Sequence, residues 1–114
     1  MQISRTIIFT PNVRVLSEFY ETCFGLEPIG ETGDDWTELD AGGCNIAFHR
    51  IDEHSGIRDG WIKLVFGSGN VENDRQRLEG FGAAMSEIVK FGDIELCDGR
   101  DPDGNWFQIS SRGM

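Results

Sequence analysis

The sequence predicts an α+β domain built from two βαβββ modules, which together form a curved eight-stranded sheet around a cavity. Two observations predict this class: a high glycine content and an internal repeat. The chain has 114 residues, the length of one domain, and its 15 glycines favour strands joined by tight turns over a helix bundle. We expect a single domain over residues 1–114, with module one at about 1–55 and module two at about 58–114.

The internal repeat is an ordered set of motifs that occurs once in each half of the chain. The segments IIFTPNVRVLSEFYETCFG (7–25) and IKLVFGSGNVENDRQRLEGFG (62–82) both read as an apolar strand, an Asn-Val step, a helix and Phe-Gly. Further on, GGCNIAF (42–48) and DGNWFQI (103–109) each combine a glycine turn with a short strand. One helix covers only one face of its sheet, so a pair of modules is needed to enclose a cavity, where ligands prefer to bind.

Local signals define the two helices and the strands. Asn12 and Asn70 are predicted helix N-caps, and Gly25 and Gly82 are predicted stops. An apolar stripe at helical spacing supports the first helix, and the polar segment His54–Gly60 is the predicted linker. The predicted strands are Trp36–Leu39, Asn45–Arg50, Trp61–Phe66, Met85–Lys90, Glu95–Asp98 and Asn105–Ser110.

Charge and cysteine content exclude several function classes. The formal net charge of −10 argues against nucleic acid and against an anionic membrane surface, and it mildly favours a cationic ligand. Cys23, Cys44 and Cys97 are odd in number and widely spaced, which argues against a disulfide framework or a zinc knuckle. No signal peptide or membrane span is recognised, and we expect a cytoplasmic protein.

Two motifs carry a resemblance to a known family. FYETCFGLEPI (19–29) in module one and DPDGNWFQI (101–109) in module two, on paired βαβββ units, resemble the vicinal oxygen chelate (VOC) superfamily. This superfamily includes glyoxalase I, extradiol dioxygenases, fosfomycin resistance proteins and bleomycin resistance proteins. The resemblance implies the glyoxalase/bleomycin resistance fold over nearly the whole chain.

The resemblance also implies where metal ligands would lie. In metal-dependent members they come from the first and last strand of each module, and here those positions fall on Arg5, Ala47, Trp61 or Lys63, and Gln108. Arginine cannot release its proton, alanine and tryptophan offer no ligand, and one neutral amide oxygen cannot hold a divalent cation. We therefore expect no metal and no cofactor.

Seven residues are candidates for ligand binding, and all except Lys63 are weighed against a simpler structural interpretation. Gln108 is either a hydrogen-bonding group of the pocket or a satisfied strand residue, and Arg5 either pairs with a ligand anion or bridges to a nearby acid. The tryptophans either stack on a planar ligand or pack in the core. His49 is either a candidate for catalysis or a hydrogen-bonded strand residue. The acidic residues around Glu38 and Asp40 are interpreted as a solvated edge. The ligand-binding candidates are Gln108, Trp106, Trp61, Lys63, Arg5, His49 and Trp36.

The resemblance leaves more than one function open. The first hypothesis is metal-independent binding of a small molecule, in the manner of the bleomycin resistance proteins, which sequester a drug in a groove shared by a homodimer. The alternative is a metal-dependent or metal-independent lyase, isomerase or dioxygenase of the same fold that uses His49, Lys63 or Gln108. A third is a regulatory module with a vestigial pocket.

Overall fold

The computed structural model describes residues 5–52 and 63–112, and the chain divides into two units, Met1–Gly56 and Ile57–Met114. Each unit is an α+β module in which one helix follows the first strand, as the sequence predicts. The predicted linker His54–Gly60 and the start of the predicted strand Trp61–Phe66 lie outside the described residues. No helix in the described part of the chain is long and apolar enough to cross a membrane.

Unit 1 is a four-stranded mixed sheet with one helix. The spatial order of its strands is β1-β4-β3-β2, with β1 and β4 parallel and the other neighbours antiparallel. The elements are β1 (Arg5–Thr10), α1 (Val13–Phe24), β2 (Glu27–Ile29), β3 (Trp36–Asp40) and β4 (Asn45–Arg50).

Unit 2 repeats this topology with one strand broken in two. The order is β5-β9-β8-β6, with β5 and β9 parallel, and β7 also pairs with β8. The elements are β5 (Leu64–Gly67), α2 (Val71–Gly80), β6 (Ala84–Met85), β7 (Val89–Phe91), β8 (Ile94–Arg100) and β9 (Trp106–Ser110).

The continuous strand predicted over Met85–Lys90 is wrong. Residues 86–88 leave the ladder, and Ser86 accounts for this because its hydroxyl accepts the backbone N–H of Asp98 at 2.9 Å. The backbone N–H of Ser86 donates to the Asp98 carbonyl at 2.7 Å, so the contact with β8 is kept without regular strand geometry. The other strands with predicted bounds, β3, β4, β5, β8 and β9, differ from those bounds by at most three residues, and β4 matches its predicted bounds.

The two helices begin with similar hydrogen bonds at their N-termini, which the sequence predicts only in part. Asn70 caps α2 as expected, because its side-chain oxygen accepts the N–H of Asn73 at 3.0 Å. Asn12 forms no such side-chain bond, and its backbone N–H donates instead to the Thr10 hydroxyl at 3.0 Å. Ser68 accepts the N–H of Asn70 in the same way, at 3.3 Å. Thr10 and Ser68 are therefore equivalent positions of the repeat.

The apolar stripe of α1 forms the core of unit 1, as predicted. Leu16 and Tyr20 are fully buried, and the Tyr20 ring lies 5.6 Å from that of Phe48 on β4. Gly25 ends the helix at φ 66°, a left-handed conformation that glycine adopts without strain. The helix thus covers one face of its sheet and leaves the opposite face to other contacts.

In unit 2, Leu78 of α2 is buried, as are the strand residues Cys97, Phe107 and Ile109. Burial raises the pKa of the Cys97 thiol, which keeps it protonated and unreactive. Phe107 and Ile109 therefore lie on the helix side of β9, and alternation places Gln108 on the other side, as the sequence predicts.

Candidate functional site

The side chains of chemical interest lie on the face of each sheet that its helix does not cover. We call these surfaces helix-free face 1 (Arg5, Ile7, Phe9, Trp36, Glu38, Asp40, Asn45, Ala47 and His49) and helix-free face 2 (Lys63, Val65, Leu96, Asp98, Arg100, Trp106 and Gln108). On face 1 the strand register aligns Ile7, Ala47 and Glu38 in one row and Phe9, His49 and Trp36 in the next. Polar and aromatic groups from three strands therefore meet on one surface.

The centre of helix-free face 1 is a carboxylate held by two donors. Arg5 donates from Nε to Glu38 Oε2 at 3.1 Å, and the Asn45 amide donates to the same oxygen at 2.8 Å. The hydrogen bond from Asn45 lowers the pKa of the Glu38 carboxyl below its ordinary value, and Arg5 lowers it further by its own hydrogen bond and its charge. We call these three residues triad 1.

Replacing Glu38 with glutamine is expected to reduce stability at neutral pH and to matter less in acid. The folded-state pKa of Glu38 lies below the ordinary value of 4.5, so above pH 4.5 the ionised carboxylate makes its full contribution to the stability of the fold. This contribution to stability is lost as the pH falls through the folded-state pKa. The difference should be below about 1 kcal/mol, because Arg5 is partly exposed.

Urea unfolding of the wild type and of Glu38→Gln across the acidic range tests this expectation. Asp34→Asn, which breaks the exposed ion pair between Arg14 and Asp34, serves as a control. A Glu38→Gln effect that stays constant across the acidic range would contradict the assignment of the lowered pKa.

Three rings form an aromatic row beside triad 1. The ring centroid of His49 lies 5.5 Å from that of Phe9 and 5.7 Å from that of Trp36, which meets it edge-on at 67°. Phe9 is 40% exposed and His49 is exposed, so the row is an accessible aromatic surface rather than core. It offers stacking and edge contacts to a planar group.

Helix-free face 2 carries a second carboxylate with the same kinds of partner. Lys63 donates to Asp98 Oδ1 at 3.0 Å, and the side-chain amide of Gln108 donates to the same oxygen at 3.0 Å. We call these residues triad 2. The amide of Gln108 thus orients a carboxylate of the neighbouring strand β8.

Trp106 lies next to triad 2 and contacts two cations. The guanidinium carbon of Arg100 lies 3.6 Å from the Trp106 ring centroid, and Lys63 Nζ lies 5.9 Å from it. Arg100 also donates to the Gly104 carbonyl at 2.8 Å, which ties the indole to the turn before β9. A ligand that stacks on Trp106 must use the ring surface that Arg100 does not cover.

The two triads occupy equivalent places in the repeat. Arg5 and Lys63 each lie seven residues before the Asn that begins the helix. Glu38 is aligned with Ala47 on the last strand of unit 1, and Asp98 is aligned with Gln108 on the last strand of unit 2, which makes the carboxylates equivalent as well. The amides are not at equivalent positions, because Asn45 lies two residues before Ala47 on β4, in the row of Arg5.

Comparison with known proteins agrees with this topology. The family model described as Glyoxalase-like domain matches residues 5–110. The chain belongs to the glyoxalase-like domain family, within the VOC superfamily. No curated protein matches the sequence.

Solved structures of the glyoxalase/bleomycin resistance type share the fold. One is a glyoxalase/bleomycin resistance protein/dioxygenase family enzyme from Burkholderia phytofirmans, with 23% identity, a TM-score of 0.81, and coverage of 96% of this chain and 98% of that one. Another is lactoylglutathione lyase from Agrobacterium tumefaciens, with 16% identity, a TM-score of 0.75 and coverage of 95% and 91%. A third, a possible glyoxalase from Bacillus cereus, has 19% identity, a TM-score of 0.76 and coverage of 96% and 97%.

The metal-ligand positions that the VOC resemblance implies do not suit a metal ion in this chain. Arg5 and Lys63 are cations already paired with carboxylates, Ala47 is buried and has no donor, and the Gln108 amide donates to Asp98. Among the described residues, no three His, Cys, Asp or Glu side chains are grouped so that they could hold a metal. A divalent cation needs several oxygen or nitrogen ligands, often charged, and the residues present do not fit one.

The structure places the described ligand-binding candidates on two surfaces, one in each unit. Arg5, Trp36 and His49 share helix-free face 1, Lys63, Trp106 and Gln108 share helix-free face 2, and Trp61 lies outside the described residues. Between Trp61 and Lys63, the repeat favours Lys63 as the equivalent of Arg5.

Four residues that contact the candidates were not predicted from the sequence: Glu38, Asn45, Asp98 and Arg100. The interpretation of Glu38 as a solvated edge residue is wrong, since its side chain is only 12% exposed and accepts two hydrogen bonds. Alternation along β3 and β8 could have placed both carboxylates on the helix-free faces, but only the strand register shows which donors they meet.

Proposed function

We propose that this glyoxalase-like protein binds a small organic molecule without a metal ion, and that drug sequestration of the bleomycin resistance type is the form this binding takes. The observation that carries the proposal is the ion pairing of both cations, Arg5 with Glu38 and Lys63 with Asp98. Two of the positions that supply metal ligands in metal-dependent members therefore hold cations that are paired with neighbouring carboxylates.

The aromatic surfaces support the same proposal. The row of Phe9, His49 and Trp36 provides apolar area beside polar groups, which is the usual composition of a small-molecule site.

The proposal includes a homodimer in the cytoplasm, with neither nucleic acid nor membrane as a partner. An acidic chain with a net charge of −10 has no general attraction for phosphate backbones or anionic lipids.

Thermal unfolding in the presence of divalent metals tests the proposal. A ligand that binds only the folded state raises the melting temperature, and we expect no rise with Ni²⁺, Zn²⁺, Mn²⁺ or Fe²⁺ and no stoichiometric metal after purification. A rise with metal that Gln108→Ala abolishes would contradict the proposal. The same measurement with a panel of aromatic compounds tests for binding directly. We expect at least one compound to raise the melting temperature of the wild type, and we expect this rise to be lost in Trp36→Leu.

An enzymatic role is the second candidate, because His49 is an exposed imidazole beside the charged groups of face 1. A glyoxalase assay with a hemithioacetal substrate, with and without added metal, separates this role from binding alone. Turnover that is lost in His49→Ala would favour the enzyme.

A further inference from the structure

Within residues 5–52 and 63–112, the carboxylate of each triad accepts hydrogen bonds through one of its two oxygens. Glu38 Oε2 accepts from both Arg5 and Asn45, and Asp98 Oδ1 accepts from both Lys63 and Gln108. Glu38 Oε1 and Asp98 Oδ2 form no hydrogen bond with the residues in 5–52 and 63–112. The side chains of Glu38 and Asp98 are 12% and 30% exposed, and a hydrogen bond to a partly desolvated carboxylate oxygen is favourable, so both oxygens are candidate acceptors for a ligand donor.

The cations also keep unused donors. A guanidinium has five N–H groups, and within the described residues Arg5 bonds only through Nε. Lys63 has three N–H groups and donates one to Asp98. Among the described residues, each ion pair therefore has both unused donor groups and an unused acceptor oxygen, and its net charge is zero.

This pairing determines which charge a ligand should carry. An anion drawn to Arg5 is repelled by Glu38, and a cation drawn to Glu38 is repelled by Arg5, so a charged group gains little from the pair. A neutral group that has its own donor beside its own acceptor can satisfy both members at once.

We propose that each triad binds a net-neutral ligand group with an N–H donor beside an acceptor oxygen, of which the primary carboxamide is the simplest. The amide N–H donates to Glu38 Oε1 or Asp98 Oδ2, and the carbonyl oxygen accepts from Arg5 or Lys63. This inference rests on the proposed binding function and names the chemistry of its ligand.

The aromatic row specifies what the carboxamide is attached to on helix-free face 1. Trp36 and Glu38 are alternate residues of β3 on the same face, about 7 Å apart along the strand. An aromatic ring bonded to the carboxamide therefore lies over Trp36 and His49 while the amide contacts triad 1. The ligand class is an aryl carboxamide.

The recurrence of the triad is an independent argument for a shared role. Unit 2 reaches the same combination of cation, carboxylate and amide with different residue types, Lys63, Asp98 and Gln108 in place of Arg5, Glu38 and Asn45. The cations lie at equivalent positions of the repeat, seven residues before the Asn that begins each helix, and the carboxylates lie at equivalent positions of β3 and β8. A chance surface ion pair does not account for this repetition.

Three probes with the same ring and different charge test the inference: benzamide, benzamidinium and benzoate. Each is titrated into the isotopically labelled full chain at physiological salt, and the chemical shifts of the Trp36 indole N–H and the Arg5 side chain are followed. We expect benzamide to bind more tightly than either charged probe, by roughly threefold or more. The inference is overturned if benzamidinium or benzoate binds as tightly as benzamide or more tightly. Such binding in the absence of metal would still agree with the proposed function, which requires only that a small molecule binds without a metal ion.

Two variants of triad 1 should change this order in opposite directions. Arg5→Met leaves Glu38 without its cation and should make benzamidinium the preferred probe, while Glu38→Gln should make benzoate the preferred probe. Lys63→Met and Asp98→Asn repeat the test on triad 2 if a variant of triad 1 does not fold. Arg14→Ala, which removes an exposed arginine of α1 paired with Asp34, is the matched control and should keep the wild-type order. Variants that weaken all three probes equally would overturn the inference.

Discussion

Replacing Gly99 with alanine is expected to lower the free energy of unfolding by about 1–3 kcal/mol. A Cβ atom at this position would lie 2.5 Å from Phe107 Cζ and 2.6 Å from Met85 Sδ. Met85 is flexible, but the Phe107 ring is fully buried and has no space into which to turn. The added methyl group must therefore displace either the ring or the β8 backbone.

Urea denaturation of Gly99→Ala and of the control Gly80→Ala measures this effect. Gly80 ends α2, and a Cβ atom added there would meet nothing within 4 Å, so alanine should leave stability unchanged or raise it by up to about 1 kcal/mol. Similar stability of Gly99→Ala and the wild type would show that β8 and Phe107 are packed more loosely than these distances require.

Replacing Asp101 with alanine is the second change with a large expected effect. The buried Asp101 carboxylate accepts the backbone N–H groups of Asp103 and Asn105 and the side-chain amide of Asn105, each at 2.9 Å. Its loss leaves these donors without that acceptor, at a cost of about 1–3 kcal/mol or more. The DPDGN motif is thus a turn organised by its first residue.

The effect of Asp101→Ala should extend to helix-free face 2. The same turn supplies the Gly104 carbonyl that holds Arg100 against Trp106, so near-ultraviolet circular dichroism of the indole should change along with stability. Asp101→Asn keeps an oxygen for the two backbone N–H groups and should retain most of both signals. Equal losses in the asparagine and alanine variants would indicate that charge, rather than the turn geometry, carries the contribution.

Much of the fold could be predicted because it depends on local signals. The buried stripe of α1, its glycine stop and the alternation along β9 follow from helical and strand periodicity, and the structure agrees with them. The break between β6 and β7 could not be predicted, since it depends on the Ser86 hydroxyl meeting the Asp98 N–H across the sheet. Periodicity contains no information about such a partner.

The candidate site was less predictable than the fold for the same reason. The faces that hold Arg5 and Gln108 in their separate sheets follow from alternation, but their partners Glu38 and Asp98 are 33 and 10 residues away in sequence. Glu38 in particular lies in an acidic segment whose composition indicates solvent. Its lowered pKa and its burial arise only once β1, β3 and β4 are in register.

The division of one predicted strand into β6 and β7 has a consequence for the solubility of folding intermediates. A long, regular outer strand exposes a row of free N–H and C=O groups to which another polypeptide can add, and this is a common route to aggregation. At the outer margin of the unit 2 sheet, β6 has two residues and β7 has three, separated by an irregular segment whose first residue already bonds inward to β8. An incoming strand would find no uninterrupted template along this margin.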